Sequence, residues 1–335
     1  MLSFFTSLLI VAVLFKVGNA QCPNEVAAHN SNLCTASANN TWFIVPVPKA
    51  ACQQALDATY GLSVLGISLV VLADLPTQDD SLLPNGFPED YHPVLVDASY
   101  QDDIRMGPAK IQGALLGAGL YMPYVHRATI IGGNPNTVVQ APITAYISGP
   151  NDNAVAGLVP AIVSTLVEGY FLRLALLKPN NAAFQRNDNN IFSNNAAWLV
   201  ASNPVSGPGV SPTAYDMQFM KQDKFTTYSA KFLKAVINQP SMLQGGYFLA
   251  NICQRNQYFY TNDTNTMTPV IGNVTFGPAA DGLVVVRQSI IQKASPNGDG
   301  VYRGNKGFTG CGQNVGFNPE FCDDAVRNVD QAALE

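Results

Sequence analysis

The chain reads as an α+β protein in which antiparallel β-structure predominates. Three observations predict this. Apolar residues come in short runs bounded by Gly, Pro and Asn, runs of strand character outnumber helical ones, and 47% of the 335 residues are hydrophobic while only 12% are charged. An average soluble domain is about 25% charged. High hydrophobicity with a net charge of -5 excludes a disordered chain, and no basic stripe is present to recruit nucleic acid.

Taken in order, Met1 to Ala20 (MLSFFTSLLIVAVLFKVGNA) has an apolar stretch from Leu8 to Phe15 followed by the small residues Gly18 and Ala20. This is the pattern of a secretory signal peptide, and Lys16 breaks it well short of the ~20 apolar residues of a membrane span. The expected organisation is therefore residues 1–20 as signal peptide and 21–335 as a single secreted domain. Trp42 to Val47 (WFIVPV) predicts a strand, and Lys49 to Ala58 a helix entered through Pro48. His92 to Val96 predicts a second strand. Ala109 to Gly119 and Val155 to Val167 fit either element, being small and apolar without a clean period. Ile143 to Ile147 predicts a strand. Ala154 to Leu177 is long enough to span a bilayer but contains Pro160, Glu168, Gly169 and Arg173, so it reads as buried core, with no membrane span in the mature chain. Pro204 to Pro212 reads as a long loop, Tyr228 to Ile237 as a helix, and Tyr247 to Ala250 and Leu283 to Arg287 as strands. Ser295 to Gly300 (SPNGDG) lacks the alternating ligands and closing Glu of a calcium loop and reads as a hairpin turn between strands.

Six cysteines, Cys22, Cys34, Cys52, Cys253, Cys311 and Cys322, form no C-x-x-C pair, and His29, His92 and His126 are too far apart for a zinc signature. No metal site and no cofactor is expected. Disulfides in an oxidising compartment are the better reading. Cys311 and Cys322 close a short Gly-rich loop and are the preferred local pair, which leaves an N-terminal cysteine to reach Cys253. N-x-[ST] sequons at Asn39, Asn262 and Asn273 fit surface loops of a secreted glycoprotein.

Catalytic signatures are missing. No G-x-S-x-G elbow, P-loop or dinucleotide fingerprint occurs, and Asp79-Asp80 and Asp102-Asp103 read as solvated turns. In a chain so poor in charge, ionic residues inside apolar sequence are the candidate functional ones, because a buried charge must be paired or used. These are Glu168 and Arg173 within the longest apolar run, His126 and Arg127 after MPYV, and Arg105 closing YQDDIR.

The order of elements also resembles a known family. WFIVPVP running into KAACQQALDA, then LLPNGFPEDYHPVLVDASYQDDIR, then YMPYVHR and a strand leading to NDNAVAGLVPAIV, is similar to the acetoacetate decarboxylase-like superfamily, nearest its secreted eukaryotic branch, over about residues 42–177. The resemblance implies a bent antiparallel sheet closed into a cone or barrel around an apolar pocket, here with disulfide-bonded N- and C-terminal extensions. Enzymes of the family form a Schiff base between a pocket lysine and a β-keto acid. The lysine pair of the family would fall between Gly157 and Arg173, and this chain has no lysine between Lys110 and Lys178. Arg173 cannot replace it, because a guanidinium stays protonated. The expectation is a modified pocket that binds or transforms a small keto, carboxylate or apolar compound. Glu168, Arg173 and His126 are the candidate catalytic groups, and Arg105 and Arg127 the candidate anion ligands. A non-catalytic, disulfide-stabilised extracellular interaction or structural protein is the alternative. A hydrolase would need His92 or His126 beside a serine and a carboxylate. Oligomeric state is not legible.

Overall fold

The computed structural model describes residues 22–61, 67–75, 87–107, 109–110, 113–128, 132–157, 161, 172–198, 213–244, 251–260, 266–277 and 286–335. Sixteen strands are present: β1 (Cys34–Pro48), β2 (Val70–Leu72), β3 (Tyr91–Met106), β4 (Ala109–Lys110), β5 (Leu115–Arg127), β6 (Val139–Ser148), β7 (Leu172–Lys178), β8 (Gln185–Arg186), β9 (Phe192–Trp198), β10 (Thr213–Lys221), β11 (Ser241–Met242), β12 (Ile252–Gln254), β13 (Asn256–Phe259), β14 (Met267–Phe276), β15 (Val301–Gly316) and β16 (Glu320–Phe321). Four α-helices accompany them among the described residues: α1 (Lys49–Tyr60), α2 (Ala230–Ile237), α3 (Val286–Lys293) and α4 (Cys322–Arg327).

Nine strands close into a barrel in the order β6-β7-β9-β10-β14-β15-β1-β3-β5, and β5 pairs back onto β6. The barrel is mixed, since β6 and β7 run parallel while the other eight pairings are antiparallel. The α+β, mostly antiparallel class is therefore the observed one. Short strands extend the wall: β11 lies parallel to β6 and carries β12 and β16, while β13 pairs with β15 and β2 with β5.

The apolar run WFIVPV is continuous because both faces of β1 are covered. Phe43, Val45 and Val47 point into the barrel, where Phe43 meets Phe219 of β10 edge-on at 5.9 Å. Trp42 and Ile44 point outward under α2. Pro48 then ends the strand and flanks α1, whose buried Cys52, Ala55, Leu56 and Tyr60 follow helical spacing, and which stops at Gly61. In α2, the Ser229 hydroxyl accepts a hydrogen bond from the Phe232 N–H at 3.0 Å, and Phe232, Leu233, Val236 and Ile237 are buried. Burial of side chains of this size stabilises by about 2 kcal/mol each. Helices α1 and α3 pack together and reach β6, and α3 also touches β14, so the pair sits across one end of the barrel.

Several expectations are corrected. Val286 and Arg287 open helix α3, although LVVVR reads as a strand by its β-branched run. SPNGDG is accordingly a helix-to-strand connection into β15, with Gly298 and Gly300 at positive φ, and not a hairpin turn between strands. Asp102 and Asp103 close strand β3 and do not form a free turn. Of the ambiguous stretches, 109–119 becomes β4 and the start of β5, while Ala154–Gly157 is one 3-10 turn. The signal peptide, Asp79-Asp80, most of Val155 to Val167, Pro204 to Pro212 and Tyr247 to Ala250 lie outside the described residues.

Cysteine pairing also differs. The disulfides are Cys22–Cys311 and Cys253–Cys322, so Cys311 and Cys322 do not pair with one another, and the N-terminal cysteine reaches β15 and not Cys253. The local pair fails because β15 carries Cys311 into the barrel wall while Cys322 opens α4 beside β12. Cys52 is a buried thiol of α1 outside both bridges, and its burial pushes its pKa up. Cys34, at the start of β1, belongs to neither bridge. Among the described residues no helix is long and apolar enough to cross a membrane.

Candidate functional site

The residues singled out by their apolar surroundings do not form one constellation. Arg105 is exposed at the end of β3 and donates to both oxygens of Asp103 from Nε and Nη2, at 3.2 and 2.8 Å. Lys110 reaches the same carboxylate at 2.7 Å, and the two cations hold it below its ordinary range. Arg127 is 1% exposed, and both of its terminal nitrogens are engaged: it pairs with Asp323 of α4, donates to Asn251, and donates to the Asn134 carbonyl at 3.0 Å. Thr137 and the Asn134 N–H donate to Asp323 as well. Arg127 is thus a clamp between β5 and the C-terminal helix, beside the Cys253–Cys322 bridge, and its guanidinium offers little to an incoming anion. His126 is half-buried on the opposite face of β5, against Val71 of β2. Glu168 lies outside the described residues.

Arg173 is different. It pairs in register with Tyr146 of β6, whose ring belongs to the barrel interior and stands 6.0 Å from Tyr215 of β10. Residues paired across strands share a face, so Arg173 turns inward. Helix α3 delivers a second guanidinium to the same end. Arg287 is lowered from its ordinary range first by burial and then by the Arg173 charge, with Tyr60 of α1 opposing. Gln288, the next residue of α3, accepts from the Tyr146 hydroxyl and donates to the Ala214 carbonyl, which ties the helix across the barrel. Tyr60 and Gln244 both donate to the Pro142 carbonyl at 2.8 Å. The barrel end under α1 and α3 therefore carries Arg173 and Arg287, whose like charges act on one another, near tyrosine hydroxyls and amides. Planar N–H forks of this kind match a carboxylate in charge and geometry.

Sequence reasoning missed two groups. Arg287 was hidden by the strand-like reading of LVVVR. Asp97, within HPVLVDASY, met the criterion of a charge in apolar sequence and was passed over. It is 4% exposed on the outward face of β3, between Trp42 of β1 and Gly119 of β5. Burial pushes its carboxyl up to about 7, against hydrogen bonds from the Tyr121 side chain and the Gly119 N–H. A Cβ at Gly119 would stand 2.3 Å from the Tyr121 ring folded over it, so a larger residue there would displace that ring.

His92 is buried, and its Nε2 meets the Pro123 carbonyl at 2.7 Å, where a hydrolytic triad would need a serine or carboxylate. Among the described residues no three His, Cys, Asp or Glu side chains gather to hold a metal. Lys178 is exposed and bound to Asp152 at 2.7 Å. The most buried lysine, Lys234, belongs to α2 on the outside of the barrel, so no described lysine is buried within it. Asn39 is half-buried in mid-strand, paired with Tyr100 and Cys311 on either side, which corrects its reading as a surface-loop sequon. Asn273 is exposed on β14, and Asn262 lies outside the described residues.

No family model matches the chain, and no curated protein matches it. Among solved structures, the enduracididine biosynthesis enzyme MppR, complexed with the condensation product of pyruvate and imidazole 4-carboxaldehyde, aligns over 87% of this chain and 89% of its own at 10% identity and a TM-score of 0.45.

Proposed function

We propose that the protein is a secreted, disulfide-tied barrel that binds a small carboxylate at the end covered by α1 and α3, without forming a Schiff base. The observation that supports this reading is geometric: Arg173 turns inward in register with Tyr146, and the Tyr146 hydroxyl donates to Gln288, the neighbour of Arg287 on α3. Two disulfides fit an oxidising compartment. The lack of a lysine buried in the described interior supports binding over decarboxylation.

Calorimetric titration with acetoacetate and with its neutral amide tests the reading. The acid should bind, the amide should bind at least tenfold more weakly, and Arg287→Gln should erase the difference. Borohydride trapping with acetoacetate should add no mass. Equal binding of acid and amide, no binding of the acid, or a reduced adduct on any lysine would overturn the proposal.

A further inference from the structure

A cleft of about 450 Å³ opens on the outer face of the barrel, where β1 and β15 meet the approach to α2. Ile44 forms its floor and is 1% exposed, while Pro46, Phe87 and Tyr228 supply apolar walls. Two cations, Arg303 and Lys306, line the same space. On a regular strand residues three apart face opposite sides. Here β15 bulges, because Gly272 pairs with Asn305 and Val274 with Tyr302, which leaves Arg303 and Gly304 together opposite Asn273. Gly304 takes the positive φ of 69° that the bulge needs, and its N–H donates to the Asn273 side chain at 3.1 Å. The extra residue shifts the alternation, so both cations reach the cleft.

Their states differ. Arg303 pairs at 3.0 Å with Asp299, both largely exposed. Lys306 is half-buried, in register with Ile44, and makes no ion pair or hydrogen bond with another described side chain. The lysine stem lies along the apolar floor while its ammonium reaches water, so an anion with an apolar body would engage both. The volume lies within the range of small-molecule sites.

We propose that this cleft binds a monocarboxylate with an apolar tail, its carboxylate on Lys306 and Arg303 and its tail on Ile44, Pro46, Phe87 and Tyr228. This site is separate from the barrel end under α1 and α3. The test titrates the full secreted chain with decanoate and with decanol, followed by calorimetry. Decanoate should bind at least tenfold more tightly than decanol, Lys306→Met should abolish that preference, and Arg287→Gln should leave it intact. Circular dichroism confirms that each variant is folded. Equal affinity for acid and alcohol, no binding of decanoate, or a preference lost in Arg287→Gln but kept in Lys306→Met would each overturn the assignment.

Discussion

Replacing Asp97 by Asn removes one buried titratable carboxyl while keeping its shape beside Trp42 and Gly119. The folded pKa is raised from 3.8 to about 7, so the ionised form is the one that folding disfavours. Stability tied to this group is fully present below the unfolded pKa, declines as pH rises from about 4 to about 7, and stays low above that. A shift of this size corresponds to roughly 4 kcal/mol between the two plateaus, at about 1.4 kcal/mol per pKa unit. At roughly 2 °C per kcal/mol for a large domain, the melting temperature of Asp97→Asn relative to wild type should climb by roughly 8 °C between about pH 4 and about pH 8. Parallel thermal melts of the two proteins across that range measure it. His92 titrates equally in both and cancels in the difference. Two melting profiles that run parallel would refute a buried, strained carboxyl at position 97.

Three further outcomes follow from the same geometry. His92, lowered to about 4 chiefly by burial, keeps a neutral ring, so its NMR resonances should not titrate above about pH 5; the stability it contributes is present above 6.5 and is lost as pH falls toward 4. Asp323→Ala strands the buried Arg127 guanidinium and should cost about 3–5 kcal/mol in urea unfolding, whereas Arg105→Ala, on the exposed pair with Asp103, should leave the midpoint unchanged. Cys52 should resist iodoacetamide in the native protein and react once unfolded, and non-reducing peptide mapping should recover Cys22–Cys311 and Cys253–Cys322.

Local structure was legible wherever one short segment decides it. WFIVPV, Pro48 and the helix beyond it were read correctly because a strand buried on both faces is continuously apolar and because Pro ends it. The α2 helix was read as a helical stretch over Tyr228 to Ile237, and it spans Ala230–Ile237. Helix α3 was not, since LVVV carries β-branched character into its first turn, and that error concealed Arg287. The disulfides were misread for another reason. Short spacing favours Cys311 with Cys322, but barrel closure sends the two cysteines to different walls. Pairing of Arg173 with Arg287, 114 residues later in the chain, is likewise a product of closure that no local pattern encodes. The charge-in-apolar-sequence criterion singled out Arg105, Arg127 and Arg173 alike, although Arg105 is exposed and Arg127 is buried against Asp323. It could not distinguish a clamp from a ligand site, because that depends on whether Asp323 is opposite.

The pairing of β1 with β15 has a consequence for how the chain is made. Cys34 lies opposite Gly316, so β1 finds one of its two neighbours only once β15, far later in the chain, has been synthesised. Until then the nascent sheet has β1 as an open edge, with the N–H and C=O groups of its free side available to any other strand. Closing a loop of that length before any contact rewards it makes for slow folding. A chain truncated before Val301 would keep the hairpin of β3 and β5 yet lack the wall that completes the barrel and the partner of Cys22. Such a product would be an open sheet with a free thiol, suited to aggregation.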